Sequence, residues 1–207
     1  MVIEFAITIT ILESQIMVNL SRVLITNQLA LRKPRPYTEG SDEAFNVLHK
    51  KVQQGDESIL QDICEYGLNL CNADASGLSV LGYVNDQQVF EWSKMAGNGP
   101  NFKVYSPRHD CPCGTVLDLY SYQIFRHPER HYTWVKETNF VIPEMISMPI
   151  YNDDLSPLGT LWLMHKEGRH FTREDVRIMT ALTGFLRVTA KNGKFAARTP
   201  AISNLAI

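Results

Sequence analysis

The amino-acid sequence predicts an α+β domain with an antiparallel sheet and helices on one side of it. Three observations carry the prediction. Two helical stretches come first, two pairs of apolar runs are each joined by turn residues, and a helix with complete N-terminal signals closes the pattern. The 207 residues fit one domain with extensions, and a hydrophobic content of 44% is enough to build a real core.

Taken in order, Met1 to Leu12 is apolar but interrupted by Glu4 and followed by Glu13. With no basic stretch ahead of it, it reads as neither a spanning helix nor a signal peptide. Met17 begins a more ordinary sequence, so Met1 to Ile16 is expected to be a leader outside the folded unit. Asn19 to Leu31 is weakly helical, and Lys33-Pro34-Arg35-Pro36 breaks that pattern as a linker. Ser41 is placed to cap a helix with Ala44, Phe45, Leu48 and Val52 on one stripe. After Gly55 the apolar face resumes at Ile59, Leu60, Ile63, Cys64, Leu68, Leu70 and Cys71. Leu78 to Tyr83 and Val89 to Met95 are strand-like runs around Asn85-Asp86, a pair suited to a tight hairpin turn.

Tyr122 to Phe125 suggests a short strand, and Glu129 to Lys136 a helical turn or two. Met145 to Tyr151 and Leu158 to His165 read as central strands joined by a polar turn at Asn152 to Pro157. In the last helix Thr172 caps, Asp175 takes the capping-box position, Phe171 can staple onto Val176, and Val176, Met179, Leu182 and Leu186 run down one face. The chain thus divides into an N-terminal extension, helix and linker over 1–40, a folded unit over 41–192 and a flexible tail over 193–207. Between Ala96 and Pro143 it spends about fifty residues with little regular structure, and so long an excursion in a compact domain commonly covers a ligand or a partner.

A net charge of -2 leaves no electrostatic footprint for nucleic acid or an anionic membrane. Four cysteines, unevenly placed, are too few for a disulfide scaffold, which fits a reducing, cytoplasmic setting. The chemistry concentrates in Ser106 to Asp118, which holds Arg108, His109, Cys111, Cys113 and two carboxylates. Two prolines make its first part a loop ending at Gly114, and Thr115 to Leu119 suits a short helix whose free amides would face the thiols. Arg108 there can pair a ligand carboxylate or phosphate bidentately, or pair Asp118 structurally. Cys111 and Cys113 can form a thiol pair, with Cys111 the more reactive. The bland alternative for Cys113 is a small buried residue under the Gly114 turn. Cys64 and Cys71 sit on an apolar helix face as core thiols. With His109, His127 and His131 nearby a Cys/His metal site is conceivable, but the spacing is not that of a zinc site and none is expected. His127 and His131 are either a ligand-facing pair, if Pro128 opens a helix, or a cap and a half-exposed residue. Of the tryptophans, Trp134 is the one placed to act as a pocket lid.

These residues resemble a GAF domain, the small-molecule-sensing module of many bacterial signalling proteins. The resemblance is to sensor modules often attached to histidine kinases, which carry a Pro-Arg-x-x-Ser-Pro-Cys-Gly-x-x-Leu-Asp stretch. Here Pro107, Arg108, Pro112, Cys113, Gly114, Leu117 and Asp118 fit it. His127-Pro128-Glu129-Arg130 and Gly159-Thr160-Leu161-Trp162 fit two further elements, and the likeness runs from about Asn19 to Lys191. Cys111 departs from the pattern, standing where those modules have serine. The resemblance implies a GAF (PAS-like) fold: a central antiparallel sheet of about six strands, helices packed on one face and a long excursion covering a cavity. It implies a regulatory sensor, not an enzyme, with an unidentified ligand; the residues themselves make that ligand small and possibly anionic, with Arg108, Cys111, Cys113, Gly114, His127, His131 and Trp134 the candidates to hold it. Ile178 and Phe185, beyond the main stripe of the last helix, predict a homodimer through the segment from Asn19 and the helix from Thr172 to Lys191, with the signal passed through these terminal helices to a downstream kinase or regulator. No output segment follows in the sequence, so a free-standing sensor, or one cut from its output, is expected.

A covalently bound bilin needs a cysteine followed by histidine, and no Cys-His dipeptide occurs; no bilin is expected, and any other cofactor is left unidentified. The competing readings are a thiol redox enzyme or switch using Cys111 and Cys113, and a dimerisation module with a filled cavity. In the free methionine sulfoxide reductases, which share this fold, a Cys-Gly resembling Cys113-Gly114 is joined by a reactive cysteine further on. The corresponding stretch here, Val141 to Ile146, holds no thiol.

Overall fold

A computed structural model describes residues 18–100, 105–166 and 168–193. The expected leader, and the expected tail beyond Gly193, lie outside the described residues. Two short turns come first, a helix α1 (Leu20–Val23) and a 3-10 turn (Thr26–Leu31), followed by helices α2 (Ser41–Gln54) and α3 (Ile59–Leu70). The hairpin β1 (Ala75–Val84) and β2 (Gln87–Gly97) comes next, then an edge strand β3 (Tyr105–Pro107), helix α4 (Pro112–Asp118) and strand β4 (Gln123–Arg126). A 3-10 turn (Pro128–Arg130), helix α5 (Thr133–Lys136), strands β5 (Glu144–Tyr151) and β6 (Pro157–His165) and helix α6 (Arg173–Lys191) complete it. The six strands form one sheet in the order β3-β2-β1-β6-β5-β4, with every neighbouring pair antiparallel.

Side chains alternate across a strand, so each central strand feeds two cores. Leu78, Val80, Ile146, Met148, Leu161 and Leu163 face α2, α3 and α6 and form one buried cluster with Leu48, Ile63, Ile178, Met179 and Leu182. Phe90, Met145, Trp162 and Met164 face the other way, into a second cluster built with the excursion residues Cys111, Cys113, Val116, Tyr132 and Trp134. The hairpin turn is made as expected, with Asn85 and Asp86 both at positive φ, 50° and 62°. The last helix carries its capping box, with Asp175 Oδ2 accepting from the Thr172 backbone N–H at 2.7 Å.

Three local expectations are corrected. Gly40, at φ 80°, caps α2, and Ser41 is its first residue; only glycine enters that left-handed position without strain, and the Ser41 hydroxyl is left to accept from Arg177 Nη2 at 3.2 Å. The proline-rich linker is tied down: Arg32 bonds Glu144 and the Phe171 carbonyl, Arg35 bonds Asp175 and the Leu70 carbonyl, and the Thr38 N–H bonds Glu174. It is a strap laid over the start of α6. The cysteine loop ends earlier than expected, because Pro112 serves as the first helical residue, so Cys111 is the N-cap of α4 and Cys113 and Gly114 lie inside it.

Candidate functional site

Three adjacent central strands each place a hydroxyl on the excursion face. Ser79 of β1 is paired in register with Thr160 of β6, and Ser147 of β5 is opposite Trp162 of β6. All three are fully buried, as is Ser106 of β3. Trp162 lies across Gly77 of the neighbouring strand, where any side chain would collide with the indole, and donates its Nε1–H to Ser79 Oγ at 3.0 Å. Trp92 stacks on Trp134 at 5.4 Å between centroids and meets the edge of Trp162 at 5.4 Å. Trp134 is thus a buried lid over an aromatic layer.

Helix α4 lowers the thiols onto this hydroxyl patch. Cys113 Sγ lies 3.7 Å from Ser79 Oγ, and Cys111 Sγ lies 3.9 Å from the Arg108 carbonyl oxygen. Ser147 and Thr160 face the Cys113 sulfur and Ser106 faces that of Cys111, and apart from these thiols the three hydroxyls have no hydrogen-bond partner. Burial pushes the Cys111 thiol well above its ordinary value, and the neighbouring Cys113 sulfur adds to that. Burial would push Cys113 up too, but hydrogen bonding with Cys111, Thr160, Ser79 and Ser147 outweighs it and makes Cys113 the more acidic of the two. The expectation that Cys111 is the more accessible, reactive thiol fails: it is 1% exposed and Cys113 fully buried. Cys64 and Cys71 are buried as expected, and burial raises the Cys64 thiol to about 12.

Arg108 is buried, and its guanidinium pairs with Asp118 at the far end of α4, Nη2 to Oδ1 at 2.5 Å and Nη1 to Oδ2 at 3.3 Å. The structural pairing is the one made, and it buckles the segment around α4; only Nε is left without a partner. Gly114 belongs to the same closure, because a methyl at that position would strike the Arg108 carbonyl. Of the two expectations for His127 and His131, the local geometry is that of a cap and a part-exposed residue. His127, at φ 47°, caps the 3-10 turn and bonds Glu129 through Nδ1 at 2.9 Å, while His131 ends that turn, half-buried. Among the described residues no group of three or more His, Cys, Asp or Glu is placed to hold a metal ion.

Three positions of the site, Asp110, Ser147 and Thr160, were not read from the sequence. Asp110 accepts the Thr133 and Trp134 N–H groups, each at 3.0 Å, capping α5 and seating the tryptophan lid from more than twenty residues away. Thr160 and Ser147 sit inside apolar runs. Their signal was the period-two alternation, which puts Thr160 on the face of Trp162 and Ser147 on that of Met145.

The family model for the GAF domain matches residues 53–188. The chain belongs to the GAF domain family. Among solved structures it is similar to the GAF domain of an Acinetobacter phosphoenolpyruvate-protein phosphotransferase, with a TM-score of 0.59 and 11% identity over 75% of this chain and 96% of that one. It is also similar to a phycocyanobilin-bound GAF domain of a cyanobacterial phytochrome, with a TM-score of 0.58 and 14% identity over 73% of this chain and 94% of that one. A free methionine-R-sulfoxide reductase of Neisseria meningitidis in complex with its substrate gives 0.57 and 10% identity over 74% and 90%. At these identities the likeness is one of fold. No curated protein matches the chain. No helix among the described residues of this GAF domain is long and apolar enough to cross a membrane.

Proposed function

We propose that this GAF domain is a cytoplasmic regulatory sensor that holds a small polar molecule between the sheet and the excursion. The observation that carries the reading is the buried hydroxyl patch. Ser106, Ser147 and Thr160 are fully buried with only thiol sulfurs, weak partners, beside them, in a layer otherwise largely apolar and aromatic. Each unmade bond of this kind costs about 1 to 3 kcal/mol, so three within one layer favour a site that a ligand or ordered water completes. The route of the signal follows from the same strands. β1, β5 and β6 carry the hydroxyls on one face and, on the other, Leu78, Ile146 and Leu161, which pack with the helices. A ligand that shifts these strands therefore shifts α2, α3 and α6, and through them a partner such as a kinase or a second copy. Sedimentation at tens of micromolar checks the homodimer: a monomer there removes it.

The thiol-enzyme alternative loses support from the site itself. Cys111 and Cys113 are enclosed, and the stretch leading into β5 supplies no attacking cysteine. The deciding experiment is thermal unfolding of the wild type and of Thr160→Val against cyclic nucleotides, amino acids and organic acids, with free methionine sulfoxide turnover measured alongside. A compound at a hundred times its dissociation constant raises wild-type stability by about 2.7 kcal/mol, and the variant is expected to lose much of that gain. Cysteine-dependent turnover with no ligand-induced shift would overturn the sensor reading.

A further inference from the structure

At the opposite side of the sheet from the hydroxyl patch, where the strap crosses the start of α6, lies an open cleft of about 170 Å³. That is room for roughly five waters by volume, enough for one tetrahedral oxyanion. Arg35 comes from the strap, Asn72 from the turn after α3, His165 from the end of β6, and Arg169 and His170 from the loop before α6.

The balance of donors and acceptors is uneven. Asp175, the carboxylate in the wall, is already saturated: Oδ1 takes Arg35 at 2.7 Å, and Oδ2 takes the Thr172 N–H at 2.7 Å and hydroxyl at 2.8 Å. Glu144, just behind, is equally full. Its Oε1 takes Arg32 at 2.6 Å and the Phe171 N–H at 2.8 Å, and its Oε2 takes Arg32 at 2.9 Å and His170 Nδ1 at 3.0 Å. Asp74 Oδ2 accepts the Lys166 N–H at 2.8 Å and stands 3.9 Å from Arg169 and 4.0 Å from His165. Arg32, Arg35, Lys166 and Arg169 thus outnumber these carboxylates even with both histidines neutral.

On the donor side, bonds are missing. His165 is 4% exposed, stacked on Phe171 at 4.1 Å, and its Nδ1 has no hydrogen-bond partner; Arg35 Nε, also buried, has none. Arg169 uses Nη1 on the Asn72 carbonyl at 2.9 Å. What such a cleft lacks is a group that only accepts, carries negative charge and matches a guanidinium fork.

We propose that this cleft is a second ligand site, which takes the phosphate group of a small molecule on Arg35, Arg169, His165 and His170. It is separate from the site beneath the excursion and stands whether or not that one holds a ligand. A phosphate here joins the strap to the loop ahead of α6, the helix assigned above to carry the signal. Because the cleft is open, free phosphate and a phosphomonoester share one chemistry, and the test distinguishes them.

The test is a titration of the ¹⁵N-labelled protein with inorganic phosphate, and separately with glycerol 3-phosphate, at ionic strength held constant with potassium chloride. Saturable shifts confined to the amides of Asn72, Arg169, His170 and their neighbours are expected. Arg169→Ala, at a half-exposed position, should weaken binding at least about tenfold, the worth of a charge-assisted hydrogen bond. Arg187→Ala, which pairs Asp153 near the other end of α6, should leave it unchanged. Tighter binding of glycerol 3-phosphate assigns the site to an ester, and tighter binding of inorganic phosphate to the free anion. Shifts no larger than chloride alone produces, shifts centred elsewhere, or equal affinity in Arg169→Ala would each overturn the proposal.

Discussion

Thr160→Val is expected to make the protein more stable and less responsive. Thr160 is fully buried on a central strand, and its hydroxyl has no partner of proper geometry. Valine keeps the branched shape that suits a strand and removes only the polar atom, so no cavity opens. A buried hydroxyl with its hydrogen bond unmade costs about 1 to 3 kcal/mol. The low end applies, because the Cys113 sulfur nearby already offers partial compensation. A gain of about 1 kcal/mol corresponds to a rise of roughly 2 to 4 °C in Tm for a chain of this size. Urea unfolding with an unchanged slope, supported by calorimetry, would read it. The functional half of the prediction is the opposite in sign, since stability gained by deleting a binding group is paid for in lost response to ligand. A destabilisation of 1 kcal/mol or more would refute the reasoning, because it would show that the hydroxyl is bonded inside the resting fold and is not held in reserve.

Glu144→Gln removes the charge that two Arg32 nitrogens, His170 and the Phe171 N–H converge on at 1% exposure. A loss of about 3 kcal/mol is expected in chemical denaturation, since breaking a buried pair strands the other charge. For Glu174, the hydrogen bond from Arg177 is the main cause holding the carboxyl at about 2, against an ordinary value of 4.5. Its folded-state value is depressed, so its contribution is present in full above about pH 4.5 and is lost as pH falls toward 2. Urea midpoints between pH 5 and 2.5 should fall more steeply in the wild type than in Glu174→Gln, and parallel curves would remove the claim. Alkylation of the native protein should be slow at all four cysteines, which are all buried. Rapid labelling of Cys111 would show that the excursion opens.

The elements with local signals were legible in the sequence. The capping box at Thr172 and Asp175, the Asn85-Asp86 turn and the apolar stripe of α3 all depend on residues a few positions apart. Edge strand β3 was hidden because Pro107 forbids a central strand, yet on an edge its missing N–H is no loss. The site was legible only as a neighbourhood. Arg108, Cys111, Cys113, Gly114 and Trp134 do gather on one side of the sheet, but the sequence left open whether Asp118 or a ligand occupies the arginine and did not show that Asp110 seats the lid. Those contacts close only when the long excursion folds back. The hydroxyls were harder still, since alternation assigns Ser147 and Thr160 to a face without telling whether helices or the excursion cover it.

The two proposed sites share their scaffold, and the register shows how one could act on the other. β6 carries Thr160 in the hydroxyl patch and His165 at its end in the cleft; β5 carries Ser147 in the patch and Glu144 at its first position. Glu144 is directly paired with His165. A displacement of the β5-β6 ladder by a molecule beneath the excursion therefore moves the carboxylate that holds Arg32 and the imidazole that lines the cleft, together with the strap that Arg35 ties to Asp175. Asp175 also completes the capping box of α6 with Thr172, so both ends of this path meet at the first turn of that helix. Coupling of this kind is reciprocal. Phosphate affinity should change in the presence of any molecule that the hydroxyl patch binds, and by the same factor the affinity of that molecule should change in phosphate. Equal affinities in both arms of such a cycle would leave two independent sites on one sheet.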